Sequence, residues 1–232
     1  MAEDRIIISR CGTFLVPRSG KKTEAHFKTL LNFHNGIAAA EDETGWYHVD
    51  KQLNAIYSER YQRAFGFYFD RAAVTDFSEN CYHIGIDGKR IYSANYAWCG
   101  NFQEHFCTVR DFDSNYFHID LQGNRIYTEN YFYAGDFKEN YACVKTAKGW
   151  KHIDNKGNNL NDKFFLDLGV FHKNIATAKD EGGWFHINRV GEELYNQRYT
   201  MVEPFYNGFA LVEKNTEKFI LDENGSEIVK VF

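Results

Sequence analysis

Polar and apolar residues alternate along this chain in short phrases that recur. In residues 116–120, YFHID, an extended backbone puts Tyr116, His118 and Asp120 on one side and Phe117 and Ile119 on the other. The next residues, LQGNRIY, predict a turn and a second strand. A glycine column, Gly88, Gly123, Gly157, Gly191 and Gly225, stands where a short hairpin needs positive φ. Asp120, Asp154 and Asp222, just before it, suit an Asx-type turn. Leu53 interrupts the glycine column, so that hairpin is expected to turn differently. Phrases such as ACVKT predict a further strand, preceded by a tight connection at Gly36, Asn140, Asn174 or Gly208. Three strands per repeat follow, with YFYAGDF a candidate fourth.

The same phrase returns about seven times. His48, His83, His118, His152 and His186 fall at intervals of 34 or 35 residues, and Phe14 and Ile220 extend the column to seven. Phe33, Phe67, Phe102, Phe137, Phe171 and Phe205 each follow six residues after an aromatic. A small residue stands five beyond each Phe: Ala38, Ala72, Cys107, Ala142, Ala176 and Ala210. Such coincident columns predict a tandem array, with residues 1–232 as one β-repeat domain and units near 5–38, 39–72, 73–107, 108–142, 143–176, 177–210 and 211–232. A repeat this short does not cover its own apolar face, so neighbouring copies must stack on it. Arg5–Ser9 is read as completing the last unit, which favours a closed propeller-like ring over an open β-solenoid, since closure removes exposed sheet edges.

Composition agrees with an all-β class: 17% aromatic residues, 21 of them Phe and 15 Tyr, and only two Pro. A net charge of −5 with no basic run argues against nucleic acid as a partner. The start, MAEDRIIISR, lacks the basic and long apolar regions of a signal or a membrane span, so a cytoplasmic protein away from membranes is expected. Cys11, Cys81, Cys99, Cys107 and Cys143 are odd in number and irregularly spaced, which favours free thiols.

The repeat resembles the bacterial WG-repeat family. The tryptophan of its motif matches Trp46, Trp150 and Trp184, its aromatic-Ile-Asp strand matches HID at 118–120 and 152–154, and its closing segment matches FYNGFALV at 205–212. No WG dipeptide occurs, Tyr47, Tyr82, Phe117, Lys151 or Phe185 standing in the glycine position. The resemblance implies a β-rich binding or scaffolding module, sometimes joined to an enzyme domain, and carries over no catalytic residue. Whether the chain is whole or part of a longer protein stays open.

The histidine column is the first candidate for chemistry. A shared metal needs nitrogens at about 2.0–2.1 Å from one ion. In an open stack, strands spaced at about 4.7–4.9 Å would hold successive histidines roughly 14–19 Å apart, so His48, His83, His118, His152 and His186 are metal candidates only in a closed ring. The competing reading has each histidine hydrogen-bonding a neighbouring repeat, through the Asp two residues on. Tyr57, Tyr92, Tyr127 and Tyr195 are candidate ligand-binding faces, or else packed interior. Departures from the columns, Trp98, His105, Arg110, Asp111, Asp113 and Lys163, are freer of structural demand, and Trp98 joins the tyrosines as a binding candidate. DFDSN lacks the glycine and glutamate of a calcium loop, and no GxSxG, HExxH or GxGxxG occurs.

The expected function is therefore a non-catalytic module binding a protein partner or an attached or adjacent enzyme domain, with no cofactor. The alternatives are a lectin-like or small-ligand domain, and a metal-dependent enzyme using the histidines.

Overall fold

The computed structural model describes residues 27–231, together with the backbone of Ile8–Ser9, Gly12–Leu15 and Thr23–Glu24. Among the described residues the chain forms seven small sheets, six of three strands and the last of four. A typical sheet has a two-residue first strand, Tyr133–Ala134, then Ala142–Thr146, then Gly149–Ile153, paired antiparallel in sequence order. The same order holds for Thr29–Leu30, Ile37–Asp42 and Gly45–Asp50, for Arg63–Ala64, Ala72–Thr75 and Cys81–Ile84, and for Asp167–Leu168, Ile175–Asp180 and Gly183–Asn188. YFYAGDF thus supplies the short first strand of its sheet.

The division of the chain differs from the expected one in phase. Repeat boundaries placed at 38/39, 142/143, 176/177 and 210/211 fall inside Ile37–Asp42, Ala142–Thr146, Ile175–Asp180 and Phe209–Lys214, the second strands. The structural repeat instead starts at the aromatic before each first strand. By internal packing the chain forms two compact units, Met1–Phe102 with Val109–Phe112, and Gln103–Thr108 with Asp113–Phe232. In the first, Leu30, Val49, Phe67, Val74 and Ile84 belong to the core; in the second, Phe171, Phe185, Ile187, Phe205 and Leu221 do.

The strand expected after each glycine turn shrinks to an isolated bridge, as at Ile119↔Arg125 and Ile153↔Asn159. It becomes a full strand only in the last sheet, as Glu227–Val231. The side chain four residues after the glycine differs between the two cases. Tyr57 (after Leu53), Tyr92, Tyr127 and Tyr195 turn toward the histidine of their own sheet, and Asn161 holds that place in the repeat of His152, where the chain leaves the ladder as well. Val229 holds that place in the last sheet, opposite Ile220 in the histidine column, and the chain stays on the ladder, with a register shift between Ile220 and Leu221. The last sheet is therefore built from Met201–Val231, while Ile8–Ser9 pairs with Gly12–Thr13 in the first sheet. The reading of Arg5–Ser9 as completing the last unit is not what these pairings show; Arg5–Ile7 lie outside the described residues.

Leu53 proves no exception to the turn. Its amide bonds to Asp50 O at 2.9 Å as Gly123 bonds to Asp120 O, and it takes φ +65 to do so, a conformation that costs a branched residue about 1–2 kcal/mol. The Asx turns form as expected, Asp120 Oδ1 accepting from Gln122 N at 2.9 Å and Asn124 N at 2.8 Å. Before each second strand from Ile37–Asp42 on, two successive residues have positive φ, as at Glu139 (+53) and Asn140 (+70) or Asn207 (+53) and Gly208 (+83). This is the backbone of a type I′ turn, whose twist matches that of the strands it joins.

Candidate functional site

Phe117, His118 and Ile119 are all buried, so both faces of the third strands are packed. A histidine in such a place must find partners for both ring nitrogens. Each Nε2 lies on a backbone carbonyl of the following repeat: Phe65 at 2.7 Å, Gly100 at 3.0 Å, Gly135 at 2.8 Å, Gly169 at 2.9 Å and Glu203 at 2.9 Å. A carbonyl only accepts, so Nε2 carries the proton and Nδ1 accepts from tyrosine. His48, His83, His118 and His186 take that bond from the hydroxyls of Tyr57, Tyr92, Tyr127 and Tyr195. The phenylalanine column packs on the imidazoles, with ring centroids 4.4–4.7 Å apart. Burial lowers all five histidines to about 4 and pushes the Tyr57, Tyr127 and Tyr195 hydroxyls well above the usual phenol range.

Two expectations are corrected by this arrangement. The histidines do not converge: among the described residues no three His, Cys, Asp or Glu side chains stand as a metal site. They tie repeat to repeat through the backbone carbonyl of the next repeat rather than through the Asp two residues on, and four of them take a tyrosine hydroxyl of their own repeat on the other nitrogen. Tyr57, Tyr127 and Tyr195 are buried, which leaves them no ring face to stack on a ligand, and Tyr92 is partly buried against the core. Trp98 stays on the surface, opposite Arg110 at the head of its sheet.

His152 departs from its column. Asn161 stands where the other repeats place tyrosine, Lys151 replaces the aromatic before the histidine, and Lys151 Nζ donates to Asn159 Oδ1 at 2.6 Å. The His152 ring lies at 29° to Phe171, whereas its equivalents lie at 51–61° to theirs.

Grooves and exposed apolar side chains lie around the hairpin tips, where second strand turns into third. In the N-terminal unit, a groove of about 630 Å³ is lined by Gln62, Arg63, Thr75, Glu79, Ala97 and Phe112. Phe77 and Phe112 are 65% and 63% exposed at successive tips. Asp76 Oδ1 accepts from Ser78 N at 2.9 Å and Asn80 N at 2.9 Å, closing a loop that leaves Phe77 outside. In the C-terminal unit a second groove, about 480 Å³, has Leu166 and Trp184 as its apolar walls. Lys179 Nζ stands 5.5 Å from the Trp184 ring, and Arg198 bridges Asp180 at 2.7 Å and Glu193 at 2.9 Å. The hydrogen bond to Arg198 holds the Asp180 carboxyl below its ordinary range. Phe132, Phe164 and Leu166 are exposed at the same end of their sheets. Reading by columns missed these residues. The signal was present at one position: Phe77 and Phe112 stand where other repeats have Glu43, Ala147, Glu181 and Asn215.

No protein-family model and no curated protein matches the sequence. Solved structures do resemble the fold. A crystal structure of the eukaryotic initiation factor aligns over 97% of this chain and 72% of its own, with 13% identity and a TM-score of 0.60. BamB from Moraxella catarrhalis aligns over 84% of this chain and 70% of its own, with 15% identity and a TM-score of 0.50. The fold is therefore propeller-like and all-β. At such identities the likeness extends to fold alone.

Proposed function

We propose that this chain is a non-catalytic binding module that offers its hairpin-tip residues to a protein partner. One observation carries the reading: large apolar side chains stand exposed at or beside the tips, next to grooves with polar rims, in a scaffold whose histidine column is engaged in its own hydrogen bonds. Phe77 and Phe112 in one unit, and Phe164 and Leu166 in the other, gain nothing for the fold by facing water. Aromatic anchors within a polar rim are the usual composition of a protein interface. The propeller-like neighbours favour an interaction or scaffold module in the same coarse sense. Membership of the WG-repeat family belongs to this proposal, on the residues that carry the resemblance.

The test uses two double variants, Phe77→Ser with Phe112→Ser, and Phe164→Ser with Leu166→Ser, in chain purified with its partner from the source cell. The expected result is a stoichiometric partner that at least one variant loses while its thermal midpoint stays within a few degrees of wild type. A partner held equally by both variants would place the interface elsewhere and sink the assignment to the tips.

A further inference from the structure

The type I′ turns at the opposite end of the sheets carry a second pattern. In the C-terminal unit, Glu104 sends its side chain forward one repeat, where Oε1 accepts from Glu139 N at 2.6 Å and Oε2 from Asn140 N at 2.8 Å. Glu139 does the same one repeat on, accepting from Lys173 N at 2.5 Å and Asn174 N at 2.9 Å. Each turn has two successive residues at positive φ, which aims both amides outward in parallel, and one carboxylate spans them. The next turn has the same backbone, with Asn207 at +53 and Gly208 at +83. Its two amides receive no side chain from the preceding turn, because the residue in the glutamate's place there is Lys173. A cation cannot accept these bonds. Rooted where Glu104 and Glu139 are rooted, it has the reach to stand beside an acceptor that arrives from outside.

We propose that the Asn207–Gly208 turn is an open carboxylate receptor, and that its occupant is an acidic side chain, Glu or Asp, of a partner polypeptide. The occupant's chemistry is read from the molecule itself, which fills two copies of this turn with glutamate. Lys173 supplies a positive charge that the internally filled copies do not need. Tyr206 and Phe209, 61% and 50% exposed, flank the turn and suit an apolar residue beside the acidic one. Space is available, since no atom beyond the adjoining residues lies within 4 Å of the point where a Cβ on Gly208 would stand. This receptor goes beyond the tip surface and does not depend on it.

The experiment is an amide-resolved NMR titration of the full chain with an N-acetylated, C-terminally amidated peptide of sequence Ala-Glu-Phe-Ala. The Asn207 and Gly208 amide protons are expected to move downfield and saturate, with at least tenfold weaker binding for the Gln-containing counterpart. Lys173→Glu rebuilds the internal bridge, so it should shift those two amides without peptide and abolish the response to it. Lys173→Ala should weaken binding several-fold with the spectrum otherwise preserved. Silent amides at 207 and 208, equal binding of the Gln peptide, or an undiminished response in Lys173→Glu would overturn the proposal. Free acetate binding as tightly as the peptide would overturn the assignment to a partner polypeptide.

Discussion

At the scale of single residues, the fold turns on whether buried hydroxyls and imidazoles are matched. Tyr127 and Tyr131 make the comparison within one repeat. The Tyr127 hydroxyl donates to His118 Nδ1, whereas the Tyr131 hydroxyl is buried with no hydrogen-bond partner, and burial, with the Glu129 charge adding to it, pushes it up to about 12. Removing one partner of a buried pair strands the other, at about 1–3 kcal/mol, while removing an unmatched hydroxyl relieves a desolvation cost already incurred. Tyr127→Phe should therefore lower the urea midpoint by an amount worth about 1–3 kcal/mol. Tyr131→Phe should leave it unchanged or raise it, as the native Phe165 in the same column suggests. Equal losses in the two variants would contradict this account. The histidine–tyrosine pairing was only half legible in the sequence. Both columns were visible nine residues apart, yet alternation marks Tyr127 as a strand residue and says nothing of which way a hydroxyl turns.

At the scale of elements, the turns decide where each chain segment goes, and their glycines are not equivalent. Gly88 has φ +76, and a Cβ there would stand 2.6 Å from Tyr57 Cγ, so the turn of one repeat closes directly over the tyrosine of the previous one. Gly208 has φ +83 but faces open space. Backbone strain alone should cost Gly208→Ala about 1 kcal/mol. Gly88→Ala adds a clash with a packed ring and should cost at least twice as much, read as the difference in denaturation midpoints at constant m-value. The glycine column was plain in the sequence because φ > 0 restricts residue type. The short first strands showed only as the candidate YFYAGDF, and the shrinking of the strand after each glycine turn not at all, since a two-residue strand and a single bridge leave too few positions for a period to register. The tip residues escaped for a different reason: Phe77 and Phe112 lie within an aromatic-rich phrase, where hydrophobicity by itself reads as core.

At the scale of the whole molecule, the repeat period was legible because the same packing demand recurs, but the division into two compact units was not. No Pro- or Gly-rich linker marks it, and one of the three points where the chain crosses between the units falls inside the strand Phe106–Arg110. What the copies share is a common sensitivity to acid. Five histidines sit neutral in the folded chain at about 4, against about 6.5 when unfolded. Between those values the unfolded chain binds protons that the folded chain does not, so stability is complete above about pH 6.5 and falls as pH drops toward 4. One pH unit is worth about 1.4 kcal/mol per group, so each histidine withdraws about 3 kcal/mol across the window. Together they outweigh the ~5–15 kcal/mol of net stability usual for a domain. Unfolding should therefore be complete before carboxylates such as Asp180 and Asp42, whose depressed values protect them to lower pH, begin to take up protons. Chemical denaturation at closely spaced pH values should give a slope approaching five protons between pH 6 and 5. His118→Gln should cut it by about one, even though that variant is less stable at pH 7. A slope near zero across this range would mean that the folded histidines are already charged, and the repeat-to-repeat bonds described above would then have the wrong tautomers.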